Sequence, residues 1–348
     1  MNEIVRKGGF KSHHDRQRGE DELVEKKGGL RFAVVVPCYN EAGKIKATLE
    51  TIPAFIDRIY VVDDKSSDGS DRISQHVAQS DSRITVIRHA VNKGVGAAIS
   101  TGYIQCIADE VDIAVVMAGD GQMDPADLPA LLLPIIEGEA DYVKGNRFFH
   151  YTGTADMPRH RLFGNLALSV LTKIVSGYWH ISDTQCGYTA INSDALRSVD
   201  WTAIYPRYGC PNDILTRLNV LDMRVAEVPV RAVYGKDWAS GMKVRRVVGP
   251  MLRLLVKLFL YRLYYKYVFL NGHPIVIYYV VAGALAAYCG VLSMYILVKL
   301  FLTGIIPQAA LIMFGFSAVV MIQLLLAAFS LDYQANQAIS VVRGHRGE

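Results

Sequence analysis

Phe32-Ala33-Val34-Val35-Val36-Pro37-Cys38-Tyr39-Asn40-Glu41 is the stretch on which the fold turns: a short apolar run ends abruptly in a polar, turn-forming segment. The same grammar recurs downstream. Ile59–Val62 runs into Asp63-Asp64-Lys65-Ser66-Ser67-Asp68-Gly69, and Ile113–Met117 runs into Ala118-Gly119-Asp120-Gly121-Gln122-Met123-Asp124-Pro125. Further strand-like runs are Ile84–Ile87 and Tyr142–Val143, with helix-like stretches at Glu41–Thr51, Asp71–Gln79 and Gly94–Ile107 between them. Strands alternating with helices predict an α/β domain with a mostly parallel sheet covered on both faces. In such a sheet ligands bind beyond the carboxyl ends of the strands, so the polar segments themselves are the candidate site. Each also has a structural use, since Asp and Ser cap helices and Asp-Gly forms turns.

The rest of the chain is more apolar than that domain requires. Of 348 residues 51% are hydrophobic and the mean hydropathy is +0.20, beyond an ordinary soluble composition. Ile275–Val298 and Ile305–Leu331 contain 24 and 27 residues without a charge, each long enough to cross a hydrocarbon core as a helix. The link Lys299–Gly304 is too short to be a domain, so the two form a transmembrane hairpin with both ends on one side. Just upstream, residues 236–266 hold Lys236, Lys243, Arg245, Arg246, Arg253, Lys257, Arg262 and Lys266 against the single acid Asp237, a net +7 that marks the cytoplasmic side. At 100° per residue, Arg246, Arg253 and Lys257 share one face apart from Leu252, Leu255 and Phe259, as in an interfacial helix. Tyr261, Tyr264, Tyr265 and Tyr267 suit the headgroup level.

The expected organisation is an N-terminal arm over 1–29, a catalytic domain over 30–240, basic interfacial helices over 241–272, the hairpin over 273–332 and a cytoplasmic tail over 333–348. The arm has mixed charge and no apolar centre, unlike a signal peptide. Five scattered cysteines, Cys38, Cys106, Cys186, Cys210 and Cys289, form no metal or redox pattern and read as reduced thiols of a cytosolic domain. A formal net charge of +4, without a zinc finger or RNA-binding signature, gives no case for nucleic acid.

Taken together, VVVPCYNEA, VVDDKSSDGS, NKGVGAA and MAGDGQMDP, in that order and spacing, resemble the family 2 glycosyltransferases of the GT-A fold, a Rossmann-like α/β domain. The resemblance covers about residues 31–245, and the hairpin directs it to the membrane-attached polyprenyl-phosphate glycosyltransferases. It implies that Pro37, Tyr39, Glu41 and Asp64 hold the base and ribose of a nucleotide, with Asn92, Gly94 and Gly96 in the turn beside it and Asp63 structural. It further implies a divalent cation, Mg²⁺ or Mn²⁺, whose ligands here are Asp120 and Gln122. The family's first carboxylate is absent, because Ala118 stands where D-x-D-x-Q begins. Asp124 and Asp127 read as a turn and helix-start pair.

The G-S-R block of the family corresponds to Gly145-Asn146-Arg147, and its downstream phosphate-holding arginine to Arg161, with Arg159 competing. Arginine suits that task through bidentate pairing with phosphate oxygens. Asp183, in Ser182-Asp183-Thr184-Gln185-Cys186-Gly187, corresponds to the aspartate beside the acceptor. It is a candidate base, although a phosphate monoester is already largely a dianion at neutral pH, so an orienting role and an ordinary turn cap stay open. Lys236, Ser240 and Lys243 correspond to the loop over the donor and acceptor phosphates; equally, the lysines could face the membrane.

The expected activity is that of an inverting hexosyltransferase, moving sugar from a UDP- or GDP-linked donor to a polyprenyl phosphate at the cytoplasmic face of a membrane, with both termini cytoplasmic. Gly283, Ala284, Ala286, Ala287 and Gly290 would let helices approach closely, leaving a homo-oligomer open. Two alternatives stand beside it. A processive polysaccharide synthase shares the fold but carries Q-x-x-R-W and more spans, and an inactive nucleotide-sugar-binding membrane protein would account for Ala118.

Overall fold

The computed structural model describes residues 21–148, 159–231 and 244–341. Phe32–Cys38 forms β1, buried at every position. Its β-branched run alternates between faces. Phe32, Val34 and Val36 join one apolar cluster, while Ala33 and Val35 join the other. Around it run α2 (Ile45–Glu50), β2 (Arg58–Asp63), α3 (Ser70–Ala78), β3 (Ile84–Arg88), α4 (Val95–Ala108), β4 (Ile113–Val116), α5 (Leu128–Ile136) and β5 (Tyr142–Asn146). They are followed by α6 (Arg159–Ser176), β6 (Thr189–Asn192), α7 (Ser193–Ser198), α8 (Cys210–Val220) and β7 (Val225–Pro229).

The sheet order is β3-β2-β1-β4-β6-β5-β7, closed at the β7 edge by β8 (Ser340–Val341). Among the described residues only β6 runs antiparallel to its neighbours. The carboxyl ends of β1, β2, β4 and β5 therefore open on one edge. Ile45, Leu49, Leu128 and Leu131 cover one face, and Ala98, Tyr103, Ile214 and Leu218 the other.

The ends of the chain depart from the expected divisions. Residues 21–27 are helical rather than part of a free arm. Leu23 is fully buried, and Lys27 pairs with Asp57 at 2.8 Å. At the other end, 340–341 pairs in parallel with β7, so the expected tail contributes a strand to the sheet.

Contacts divide the chain into two units, one ending at Leu258 and resuming at Ala338, the other Phe259–Gln337. α9 (Val244–Arg262) crosses that boundary. Up to Leu258 its apolar positions split into two sets. Leu254, Leu255 and Leu258 are buried, whereas Val248, Leu252 and Val256 are exposed beside the exposed Arg253 and Lys257.

The second unit contains a π-helix, Leu263–Leu270, then α10 (Ile275–Thr303) and α11 (Gln308–Ala335), which pack against one another. Both helices are long and apolar enough to cross a membrane. Only 17% and 11% of their most apolar stretches are buried, which argues against core helices of a soluble fold.

Arg262 and Lys266, expected among the membrane-facing cations, are instead fully enclosed. Arg262 donates to both oxygens of Asp332, at 2.7 and 3.2 Å, and Lys266 donates to Asn336 Oδ1 at 2.9 Å. Tyr267, expected at headgroup level, is 1% exposed and donates to Asp332. The physical reason is pairing: a buried cation persists only with a partner, and this one lies 70 residues further along the chain.

Candidate active site

The loops after β1 and β2 hold each other through side chain to backbone bonds. Ser66 Oγ accepts from Asn40 N at 3.0 Å, Ser70 Oγ from Glu41 N at 2.8 Å, and Asp68 from Ala42 N at 2.9 Å. Tyr39 is thereby left 50% exposed at the mouth and Glu41 half-buried. Pro37 lies buried within β1 and contributes its carbonyl to Gly119 N at 3.3 Å, so its reach toward a ligand is indirect.

Asp64 is enclosed and committed. It accepts from the His89 ring (2.8 Å), Lys93 N (2.8 Å) and Gly94 N (2.7 Å). Burial alone would raise its pKa, but these donors outweigh it and hold the carboxyl below the usual range. Asp64 thus shapes the 92–94 turn, and Asn92 closes it by donating to Asp64 O at 3.2 Å. Glycine is required there for room. A Cβ on Gly94 (φ +101°) would sit 2.5 Å from Pro206 O, and one on Gly96 2.3 Å from Tyr205 O. Asp63 is buried beside Arg88, with Ser66 N donating to it at 3.1 Å, in keeping with a structural part.

At the end of β4, Asp120 Oδ1 accepts from Gln122 N at 3.1 Å across Gly121, which has φ +70°. Both Asp120 and Gln122 are half-buried. Burial, and then the charge of Asp120, raises the pKa of Glu41. Asp120 and Gln122 offer oxygen donors of the kind a hard divalent cation takes, and among the described residues no group of three or more His, Cys, Asp or Glu side chains is placed to hold a metal ion. Asp124 caps the next turn, accepting from Ala126 N at 2.9 Å. Asp127 does not start its helix by capping; it accepts from Arg231 N and the Arg231 guanidinium at 2.7 and 2.9 Å.

At the end of β5, Arg147 is gripped by Asp183, which accepts from its N, Nε and an Nη at 3.2, 2.7 and 2.9 Å. Asp183 is 1% exposed and the Arg147 side chain 21%. Both oxygens of this carboxylate are thus engaged by Arg147. Behind it, Glu227 of β7 accepts from Ser182 N and Asp183 N, both at 2.8 Å. Lys144 of β5, paired in register with Glu227, is 1% exposed and donates to Cys186 O. Burial raises Glu227 and lowers Lys144. Tyr188 OH then reaches Asp124 O at 3.0 Å, joining this loop to the Asp120 turn.

The geometry therefore gathers Tyr39, Glu41, Asp64, Asn92, Gly94, Asp120, Gln122, Arg147 and Asp183 at one sheet edge. Arg159 and Arg161 open α6 with side chains outside the described residues, and Lys236, Ser240 and Lys243 lie outside them altogether. His89, Glu227 and Lys144 were not singled out by sequence. Their signal was a lone charge or imidazole within or just after an apolar strand. The thiols are uninvolved: all five cysteines are buried and free, and burial pushes Cys38 up to about 12.

The profile of glycosyl transferase family 2 matches residues 33–200. An undecaprenyl-phosphate mannosyltransferase of Micrococcus luteus is 30% identical over 230 residues, 64% of this chain and 93% of that protein. The chain belongs to glycosyl transferase family 2.

A second relative is a UDP-N-acetylglucosamine–dolichyl-phosphate N-acetylglucosaminyltransferase of Methanococcus voltae. It is 29% identical over 237 residues, 64% of this chain and 94% of that protein. In three dimensions the chain is similar to glucosyl-3-phosphoglycerate synthase of Mycobacterium tuberculosis, solved with Mn²⁺, UDP and glucosyl-3-phosphoglycerate. The TM-score is 0.52 at 21% identity, covering 70% of this chain and 83% of that one. The fold is thus GT-A-like, as expected. The family 2 match spans Tyr39 to Asp183 and ends well before α10 and α11.

Proposed function

We propose that this family 2 enzyme transfers a hexose from a nucleotide sugar to the phosphate of a polyprenol at a membrane surface. One observation carries the reading. Asp183 locks the Arg147 guanidinium at the end of β5, Tyr188 of the same loop reaches the Asp124 carbonyl at 3.0 Å, and the chain continues into two membrane-length apolar helices. The names of the two relatives support the same acceptor class. The hairpin is entered from α9 and left into β8, so its two ends share one side of the bilayer it crosses, and the basic run before it makes that the cytoplasmic side.

Tyr39 and Glu41, on the framework made by Asp64, Asn92 and Gly94, hold the base and ribose. Asp120 and Gln122 are the residues that would hold Mg²⁺ or Mn²⁺, which when bound neutralises the diphosphate of the leaving group. Arg147, with Arg161, binds the acceptor phosphate and aims it in line with the anomeric carbon. An acceptor oxygen forms the new bond to that carbon while the bond to the donor's β-phosphate breaks. The configuration inverts and a nucleoside diphosphate leaves. The acceptor is already mostly a dianion at neutral pH, so no base is needed and Asp183 serves to position Arg147. Lys236, Ser240 and Lys243 are assigned to the loop over the phosphates. The exposed Val248, Leu252 and Val256 beside Arg253 and Lys257 seat α9 at an anionic headgroup layer.

The test uses the purified full chain in phosphatidylethanolamine/phosphatidylglycerol vesicles with undecaprenyl or dolichyl phosphate and a panel of labelled UDP- and GDP-sugars. The expected result is chelator-sensitive label in the organic phase with one donor, abolished by Asp120→Asn and tolerated by Ala118→Asp. Nucleotide binding without transfer from any donor would instead favour an inactive sugar-nucleotide-binding protein.

A further inference from the structure

Gln323 is a polar residue set within the charge-free run of α11, and its side chain is exposed. At about 1.5 Å rise per residue it stands about 14 Å from Asp332 and about 22 Å from Gln308. With a hydrocarbon core of about 30 Å beginning near Asp332, the amide lies close to the midplane. The inward face of α11 is already used, with Ala310, Ser317 and Ala328 buried. On the opposite face the exposed Ile312, Phe316, Val319, Gln323 and Leu326 follow one another at spacings of four and three, the interval of a coiled-coil seam.

We infer that α11 associates along this stripe with a second copy of itself, the two Gln323 amides hydrogen-bonded across a two-fold axis. The occupant follows from polar complementarity and depth. A carboxamide carries a donor and an acceptor, so it is complementary to its own copy. An isologous interface brings a residue near the axis against itself at the same depth. Acyl and prenyl chains present no such group there. Polar side chains at a seam fix register, and in hydrocarbon they join helices through hydrogen bonds. The inference rests on the hairpin crossing the bilayer.

The experiment reconstitutes full chains, labelled at the N-terminus with donor or acceptor fluorophores, into phosphatidylethanolamine/phosphatidylglycerol vesicles at graded protein-to-lipid ratios. Energy transfer above the random-proximity level, competed by unlabelled protein, is expected. Gln323→Leu should weaken association about three- to twenty-fold, with nucleotide binding unchanged, and Gln323→Asn should largely restore it. Phe316→Cys, Val319→Cys, Gln323→Cys and Leu326→Cys should cross-link between copies, whereas Ser317→Cys, Met321→Cys and Leu324→Cys should not. Random-proximity transfer in the wild type, equal association of Gln323→Leu, or cross-linking without this period would overturn the inference. Extraction of the protein by alkaline carbonate would instead refute membrane insertion, and the inference with it.

Discussion

Replacing Asp183 by asparagine separates a positioning carboxylate from a base. The wild-type side chain is 1% exposed and accepts three bonds from Arg147, two of them from the guanidinium at 2.7 and 2.9 Å. Asparagine keeps one acceptor oxygen but turns an NH₂ toward the guanidinium. One charge-assisted bond, worth about 1.5–3 kcal/mol, is lost and the other weakened. Breaking a fully buried ion pair costs about 3–5 kcal/mol of folding stability; Arg147 is 21% exposed, so about 3 kcal/mol is the upper limit for the alignment felt at the bound phosphate. At about 1.4 kcal/mol per tenfold, this is a loss of at most about a hundredfold in kcat/KM, carried chiefly by KM for the lipid phosphate. The assay is initial-rate transfer into organic-extractable product at varied lipid phosphate between pH 5.5 and 8.5. The pH profile should keep its shape in the variant. A loss confined to kcat, with the acidic limb of the profile abolished and KM unchanged, would refute the positioning role and restore Asp183 as a base.

Glu227→Ala removes the acceptor of two backbone amides and should lower stability by roughly 2–4 kcal/mol, with Glu227→Gln costing less than half of that, read by thermal unfolding in detergent. Asp332→Asn leaves Arg262 enclosed without its carboxylate and should cost about 3–5 kcal/mol by the same measurement, whereas the joint change Arg262→Met and Asp332→Leu should cost less. Asp64 titrates below its unfolded value, so its contribution is fully present above the ordinary carboxylate range and is lost as pH falls through the folded value. Acid titration of stability from about pH 5 downward should therefore be shallower in Asp64→Asn; an identical slope would remove Asp64 from the account.

The strand-and-turn grammar of 32–41, 59–69 and 113–125 made the sheet and its functional edge legible, because apolar runs and turn residues act locally. The hairpin was legible for the same reason. What escaped depended on partners distant in sequence. Glu227 looks like a surface residue until β7 lies beside β5, and Asp127 looks like a helix cap until Arg231 is found 104 residues later. Arg262 and Lys266 read as part of the basic run that marks the cytoplasmic side because nothing local announces Asp332 and Asn336. Residues 21–29 read as an arm because one buried leucine leaves no periodic signal. Asp183 was ambiguous in sequence for a chemical reason, and its pairing with Arg147 is the observation from which the orienting role is proposed.

Which bond of the donor breaks is the most direct test of glycosyl transfer. With a doubly labelled nucleotide sugar and vesicle-borne polyprenyl phosphate, the released nucleotide and the lipid product are identified together by chromatography and mass spectrometry. Transfer of the glycosyl group predicts a nucleoside diphosphate in water and a lipid carrying one phosphate and one hexose. A nucleoside monophosphate with a two-phosphate lipid, or free sugar with no lipid product, would contradict it.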